Sequence, residues 1–419
     1  MADTLFEIEK NGEYSTFAIL DKIKDFDARD KGFVNEIVLG VLRNKIYLDY
    51  VIQSFSKIKL KKLNPYVLQI LRSGAYQILF MDKIPDSAAC NEAVKLAEKK
   101  AHSAKGFVNG VLRSISRGKN DLKDIGGNDE ERLSLIYSCP LWLTEKLLLQ
   151  YGKDVCVEIL KDSLKPHPTF IRVNSLKTNK EELEKLLKNE GTDASLEKDV
   201  DGCLKINGAL NVSASDLYKN GYYTIQNINS QRTVQALNPK SGDFVIDMCA
   251  APGGKTTHMA ECMKNVGNIK AFDIYEHKIK LIEALKNRLG ITCIDEEVWN
   301  SQEVKNEYIN MADCVLADVP CSGIGVIHRK PDIKYNRKES DIEELTKVQK
   351  KILDTASKYV KVGGSLVYST CTILKEENEN ITDGFLKMNN NFEKKFEKLY
   401  LAHKTGGSGF YICKMIRKK

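Results

Sequence analysis

The carboxyl-terminal half of the chain constrains the fold more than any other stretch, because strand-like and helix-like patterns alternate there. "DFVIDMC" (243–249), "NIKAFDI" (268–274), "ADCVLADV" (312–319) and "GSLVYST" (364–370) are short, β-rich apolar runs. Helical stretches such as 276–289 and 340–360 separate them. This alternation predicts a mostly parallel sheet with helices on both faces, and such sheets receive ligands at the carboxyl ends of their strands.

The rest of the chain follows other patterns. From about residue 16 to 117, Val34, Ile37, Val38, Val41 and Leu42, then Leu68, Leu71, Ala75, Ile78 and Leu79, recur at intervals of three and four, which predicts an all-helical bundle. "KGFVNEIVLGVLRN" (31–44) echoes "KGFVNGVLRSISRG" (105–118), yet one echo does not make a repeat array. The polar, glycine-containing stretch 117–131 reads as a linker. Beyond Pro140 the signals mix: helices at about 141–150 and 154–163, the strand-like "TFIRVN" (169–174), and a helix opening at Asn179 with an acidic first turn. The expected division is an all-α domain over 1–125, a small α+β module over 132–232 and an α/β domain over 233–419.

Composition removes several function classes. No stretch approaches the roughly 18 uninterrupted apolar residues of a membrane span, and the opening "MADTLFEIEKNGEYSTF" lacks a basic-then-apolar leader. A cytoplasmic protein is expected. Eleven cysteines without a CxxC pair argue for free thiols, not a disulfide framework or a zinc ribbon, and no metal is expected. Lys+Arg 64 against Asp+Glu 57 gives a net charge of +7, compatible with a polyanionic partner. "KIKLKKL" (57–63) and "HRKPDIKY" (328–335) are dense basic runs whose plainest reading is a solvated face.

Chemistry-bearing motifs fall at the predicted strand ends. "DMCAAPGGKTTHMA" (247–260) is a strand end, a small-residue loop and a helix start. Ala250, Ala251, Gly253 and Gly254 let a ligand approach the backbone, and the free amides of the helix start favour an anionic group. The phosphate-loop patterns GxGxxG and GxxxxGK[ST] are absent. Asp273, at the end of the next strand, is placed to accept from ribose hydroxyls. A Gly-Gly turn alone is most often only a turn; joined to a strand-end acid, the 249–255 loop (Cys249, Ala250, Ala251, Pro252, Gly253, Gly254, Lys255) reads as an adenosine-type cofactor site. Asp318, Cys321 and Cys371 also lie at the carboxyl edges of strands of one sheet, so they are expected to converge on a single cleft. A buried cysteine is usually a small hydrophobe, but two at strand ends beside an acid point to reactivity.

The segments "DMCAAPGGKTTH", "ADVPCSGIGVIHRKPDIKY" and "LVYSTCTILKEENEN" resemble the cofactor loop and the two cysteine motifs of RNA 5-methylcytosine methyltransferases, S-adenosylmethionine enzymes of Rossmann-like fold. "DARDKGFVNEIVLGVLRN" and "IPDSAACNEAVKLAEKKAHSAKGFVNGVLR" resemble the helical RNA-binding domain of the antitermination factor NusB. Together they resemble the layout of the bacterial small-subunit ribosomal RNA methyltransferase B (Sun/Fmu) family. The resemblance implies S-adenosylmethionine as cofactor, 16S ribosomal RNA of an unassembled or partly assembled subunit as partner, and a monomer.

It also implies roles. Cys371 matches the nucleophile that adds to carbon 6 of cytosine. Asp318 matches the acid that hydrogen-bonds ring nitrogen 3 and touches the cofactor side, and Cys321 the second cysteine, which helps remove the carbon-5 proton and release the enzyme. Lys255 matches the loop lysine near the reacting groups. Where the family carries an acid after its third strand to contact adenine, this chain offers Asn300, and the family's closing Asp-Gly-Phe-Phe appears as Ser408, Gly409, Phe410 and Tyr411. Transfer RNA as substrate, or a decayed core that only binds RNA, are the rival readings.

Overall fold

The computed structural model of the chain describes residues 1–11, 18–19, 22–24, 26–121, 126–208, 210–212 and 214–418. Residues 16 and 17, where the helical spacing begins, and 122–125 of the expected linker lie outside them. The chain forms two compact units, one of Met1–Pro166 with Ile327–Glu339, the other of His167–Val326 with Ser340–Lys419.

The first unit is helical. Ala28–Arg43, Lys45–Phe55, Pro65–Phe80, Asp86–Lys100 and Lys105–Gly118 are helices whose apolar stripes meet in one core, with Ile37, Val38, Val41, Leu71, Ala75 and Ile78 buried. A helix at Ala2–Asn11 precedes the point where the spacing was read to begin, and Leu5 and Ile8 join the same core. Gly40 permits the close crossing of Ala28–Arg43 over Pro65–Phe80: a Cβ there would meet the Tyr76 ring at 2.0 Å. The helices expected at 141–150 and 154–163 form one stretch, Leu141–Ser163, broken at Gly152, whose φ of 74° lies outside helical space.

The basic run 328–335 departs from the solvated-face reading. Lys334 is buried, its Nζ donating to the carbonyls of Arg43 (3.0 Å) and Ser138 (2.7 Å), and burial pulls its ammonium down to about 8. Tyr335 OH donates to Leu42 O at 2.8 Å, and Arg43 donates to His328 O. Lys334 is enclosed because its head finds two backbone carbonyls, whereas Lys330 of the same run stays exposed.

The second unit holds two sheets. β1 (Thr169–Val173), β2 (Ala194–Leu196), β3 (Cys203–Ile206) and β4 (Tyr223–Ile225) form a four-stranded antiparallel sheet in the order β2-β3-β1-β4. The helix Lys180–Asn189, capped by the Asn179 side chain accepting from Glu182 N at 2.9 Å, packs Leu183 and Leu187 into its core. β5 (Phe244–Asp247), β6 (Asn268–Asp273), β7 (Ile294–Val298), β8 (Ala312–Asp318), β9 (Val360–Thr370), β10 (Phe392–Tyr400) and β11 (Phe410–Arg417) form the larger sheet, in the order β10-β11-β9-β8-β5-β6-β7. β5 to β9 pair in parallel, and β11 runs antiparallel to β9 and β10. Apolar side chains of both sheet faces build two cores, one around Phe272, Val315 and Tyr368 and the other around Val245, Ile269 and Leu316. The strand order reverses at β5, so the carboxyl ends of β5 and β8 part over a crevice, the place where open α/β sheets bind ligands.

Candidate active site

The small-residue loop occupies one wall of that crevice. After β5 the chain turns through Met248 to Gly253, with a cis peptide bond between Ala251 and Pro252, and enters the helix Gly254–Cys262. Ala250 N donates to Phe272 O, and Gly253 N donates to Ala250 O, each at 2.8 Å, which presses the loop against β6. Gly253 has φ 100° and a Cβ there would stand 3.3 Å from Ile282 Cα, so glycine is required twice over. Ala250, Pro252, Gly253 and Gly254 shape this turn, while Cys249 and Ala251 reach the crevice itself.

The crevice is a cavity of about 410 Å³. Cys249, Ala251, Asp273 and Asn300 line one part of it; Asp318, Cys321 and Cys371 line another. Residues from the ends of five strands therefore share one space, of a size that takes a small molecule. Asp273, only 6% exposed, accepts on Oδ1 from Tyr275 N (3.3 Å) and lies 3.4 Å from Lys278 Nζ. Asn300 is held by the turn it opens, its Oδ1 accepting from Gln302 N and its Nδ2 donating to Glu303. The carboxylate of Asp273, the amide of Asn300 and the small-residue loop form a donor and acceptor set that suits a nucleoside.

Lys255 is outside the cavity lining but acts on it through Asp318. Its Nζ donates to Asp318 Oδ2 at 2.6 Å and stands 5.2 Å over the Phe410 ring, while Ser369 Oγ donates to Asp318 Oδ1 at 2.7 Å. Both carboxylate oxygens are thus oriented by fixed donors. Cys321 and Cys371, 50 residues apart in sequence, bring their sulfurs to 3.2 Å. The hydrogen bond with Cys371, followed by burial, pushes the Cys321 thiol well above its ordinary value. Burial likewise pushes Cys249 well up, which makes it a lining thiol and not an anion. Among the described residues all the cysteines are free, and no group of His, Cys, Asp and Glu is placed to hold a metal ion.

Several site residues escaped the sequence reading. Ser369 and Phe410 orient Asp318 and Lys255. Asp247 ends β5 fully enclosed, where burial pushes its carboxyl to about 7 and Thr256 Oγ1 donates to it at 2.8 Å. Gly325 of "PCSGIG" packs against backbone alone: a Cβ there would meet Gly409 O at 2.1 Å and Cys371 O at 2.8 Å. Its N–H donates to Cys371 O at 3.0 Å and its carbonyl accepts from Gly409 N at 2.7 Å. Ser408 is buried as well, its Oγ accepting from Asn227 and its carbonyl from Asn229. The signal available in the sequence was the strand-end position of Asp247 and Ser369; the closing motif located Ser408 and Phe410 but not the contacts they make.

A parallel sheet extended by an antiparallel β11, with a cavity at its switch point, defines a Rossmann-like α/β protein. Residues 234–415 match the family described as 16S rRNA methyltransferase RsmB/F, residues 1–117 the NusB family, and residues 139–213 the RsmF/B-like ferredoxin-like domain. A probable ribosomal RNA small subunit methyltransferase B of Bacillus subtilis (strain 168) is 36% identical over 99% of this chain and 97% of its own. The corresponding protein of Synechocystis sp. is 33% identical over 91% and 87%. The crystal structure of PH0851 superimposes with a TM-score of 0.85 at 27% identity, covering 99% of this chain and 97% of the other. The chain belongs to the ribosomal RNA small subunit methyltransferase B family.

Proposed function

We propose that this protein methylates carbon 5 of a cytosine in 16S ribosomal RNA, with S-adenosylmethionine as methyl donor and a covalent cysteine–cytosine adduct as intermediate. The observation that carries the reading is the 3.2 Å approach of Cys321 and Cys371 in the same cavity as Asp318 and Asp273. The helical region 1–125 and the module 132–232 present RNA to the catalytic domain 233–419. The substrate is the RNA of an unassembled or partly assembled small subunit, and the protein acts as a monomer.

Carbon 5 of cytosine is a poor nucleophile, so a thiolate first adds to carbon 6. Cys371 takes the role of that nucleophile, giving its thiol proton to solvent, with the Cys321 sulfur 3.2 Å from its own. Asp318 hydrogen-bonds ring nitrogen 3 as that nitrogen takes up a proton, and Lys255 keeps the carboxylate aimed. Asp273, Asn300 and the 249–255 loop hold the cofactor, which supplies an electrophilic methyl group when bound. After methyl transfer, Cys321 helps to remove the carbon-5 proton. Its own proton passes to solvent, the thiolate takes the carbon-5 proton, the carbon–hydrogen pair forms the carbon 5–carbon 6 double bond, the sulfur–carbon 6 pair returns to Cys371, and nitrogen 3 gives its proton back to solvent as the product leaves.

The test is a trapped intermediate. Cys321→Ala incubated with RNA and cofactor is expected to give a slow-migrating band on denaturing gels, and the Cys321→Ala/Cys371→Ala double variant none. Cys371→Ser alone is expected to lose methylation by on the order of 10⁴-fold or more, as when other enzymes lose their nucleophile. A band that survives Cys371→Ala and vanishes with Cys321→Ala reverses the roles. Bisulfite mapping of 16S and transfer RNA from cells with and without the gene decides the substrate.

A further inference from the structure

The loops that carry the two cysteines leave different strands, and one carboxylate ties them together. Glu377 is fully buried. Its Oε1 accepts from Ser322 N (2.8 Å) and Gln349 Nε2 (3.0 Å), and its Oε2 accepts from Ser322 Oγ (2.5 Å). Gln349 Nε2 also donates to Pro320 O at 3.0 Å. The residues on both sides of Cys321 are therefore fixed by the Glu377 and Gln349 side chains.

The other cysteine is tied to the same point. Ser322 Oγ lies 2.9 Å from Thr372 Oγ1, and Thr372 follows Cys371 directly. Asn378, next to Glu377, donates to Thr372 O at 3.1 Å and accepts from Thr370 Oγ1 at 2.5 Å, so it brackets Cys371. Tyr368 OH, from β9, donates to Glu377 O at 2.6 Å.

A buried carboxylate costs several kcal/mol unless its partners compensate it. The groups that donate to the Glu377 carboxylate, Ser322 N–H and hydroxyl and the Gln349 amide, are all neutral. A core that needed only stability would be served as well by apolar side chains. What a carboxylate offers here is geometry: two acceptor oxygens that fix a backbone N–H, a hydroxyl and an amide on one short loop.

We propose that Glu377 is a positioning residue for the release step, holding Cys321 against Cys371 through Ser322. The assignment rests on the covalent mechanism proposed above. The Cys321 sulfur must stay beside Cys371 and then beside carbon 5 of the adduct. A loop displaced by 1 Å costs up to about 100-fold in such a step. The attack by Cys371 and the methyl transfer depend instead on Cys371, Asp318 and the cofactor wall.

The experiment compares wild type, Cys321→Ala, Glu377→Gln and Ser322→Ala in single-turnover methyl transfer and on denaturing gels. Expected is an adduct band for Glu377→Gln at least about tenfold above wild type, with the rate of methyl transfer reduced far less than the rate of release. Ser322→Ala, which removes only the hydroxyl link and keeps the N–H donor, is expected to show the same pattern more weakly. It decides the matter if Glu377→Gln does not fold. Transfer and release falling in parallel with no adduct in either variant, while Cys321→Ala does accumulate adduct, overturns the positioning role. Absence of adduct in Cys321→Ala itself overturns the covalent reading beneath it.

Discussion

The helix Gly254–Cys262 carries a cation–carboxylate pair at each end, and the two pairs differ in what surrounds them. At its start Lys255 meets Asp318, with side chains 13% and 25% exposed; near its end Glu261 meets Arg172 of β1, with side chains 1% and 3% exposed. Arg172 is satisfied on every side: Nε and Nη2 donate to Glu261 at 2.8 Å, Nη1 to Gln226 Oε1 (2.6 Å) and Gly254 O (2.7 Å), and Nη2 also to Thr257 Oγ1 (3.1 Å). Lys255 has one carboxylate and an aromatic face, and its partner opens onto the cavity. A sealed pair with its donors used up fastens the antiparallel module to the helix Gly254–Cys262. An open pair keeps a carboxylate aimed at a space where something else can bind.

Breaking the sealed pair gives the largest effect on stability. Arg172→Met leaves Glu261 buried without its cation, and removal of one partner of a buried pair costs about 3–5 kcal/mol. Burial already pushes the Glu261 carboxyl upward against the pull of Arg172. Without the guanidinium it rises further, so the folded state favours the protonated acid. The added instability is therefore absent below the unfolded value near 4.5 and grows as pH rises toward the folded value. Thermal melts of wild type and variant at pH 5 and pH 8 should show the larger gap at pH 8; an equal gap at both would place the cost elsewhere than in Glu261.

The open pair should respond the other way. Asp318→Asn keeps the shape and removes the charge, with an expected loss of about 2.7–4 kcal/mol in transition-state stabilisation, or 10²–10³-fold in rate, by analogy with other single electrostatic contacts. Its melting temperature should move less than that of Arg172→Met, and its rate per folded molecule should fall more. If both variants lose stability and rate in the same proportion, the contrast between the two ends of the helix is wrong.

What the sequence disclosed follows the same line between sealed and open. The apolar strands β5, β6, β8 and β9 were legible because each is covered on both faces, and their ends bring Asp318, Cys321 and Cys371 together. β7 and β10 were not legible from pattern: "IDEEV" and "FEKKFEKLY" lie at the two edges of the sheet, where consecutive charged side chains break the apolar run that marks the central strands. Lys334, Arg172 and Glu377 are charges that the fold encloses. A charge run is normally solvated, and only tertiary packing distinguishes the buried Glu377 of "KEENEN" from the exposed Lys375 and the half-buried Glu376 beside it. Asp318, which needs solvent access and a strand end, was visible; Glu377, which needs a dry network drawn from three segments, was not.

The smallest expected effect concerns the cofactor wall, which combines the two cases. Asp273 is only 6% exposed, yet it lines the cavity and its contacts with Tyr275 and Lys278 fall on one oxygen. A carboxylate so placed can accept from ribose hydroxyls without giving up its anchor. Asp273→Ala then removes a charged acceptor worth about 1.5–3 kcal/mol, which calorimetric titration with S-adenosylmethionine would read as a weakening of about 10- to 150-fold in Kd. Because the Tyr275 and Lys278 contacts are also lost, a modest fall in melting temperature should accompany it, smaller than that of Arg172→Met. Unchanged affinity with a lowered melting temperature would make Asp273 a loop anchor, and the ribose contact would pass to another side chain of the cavity.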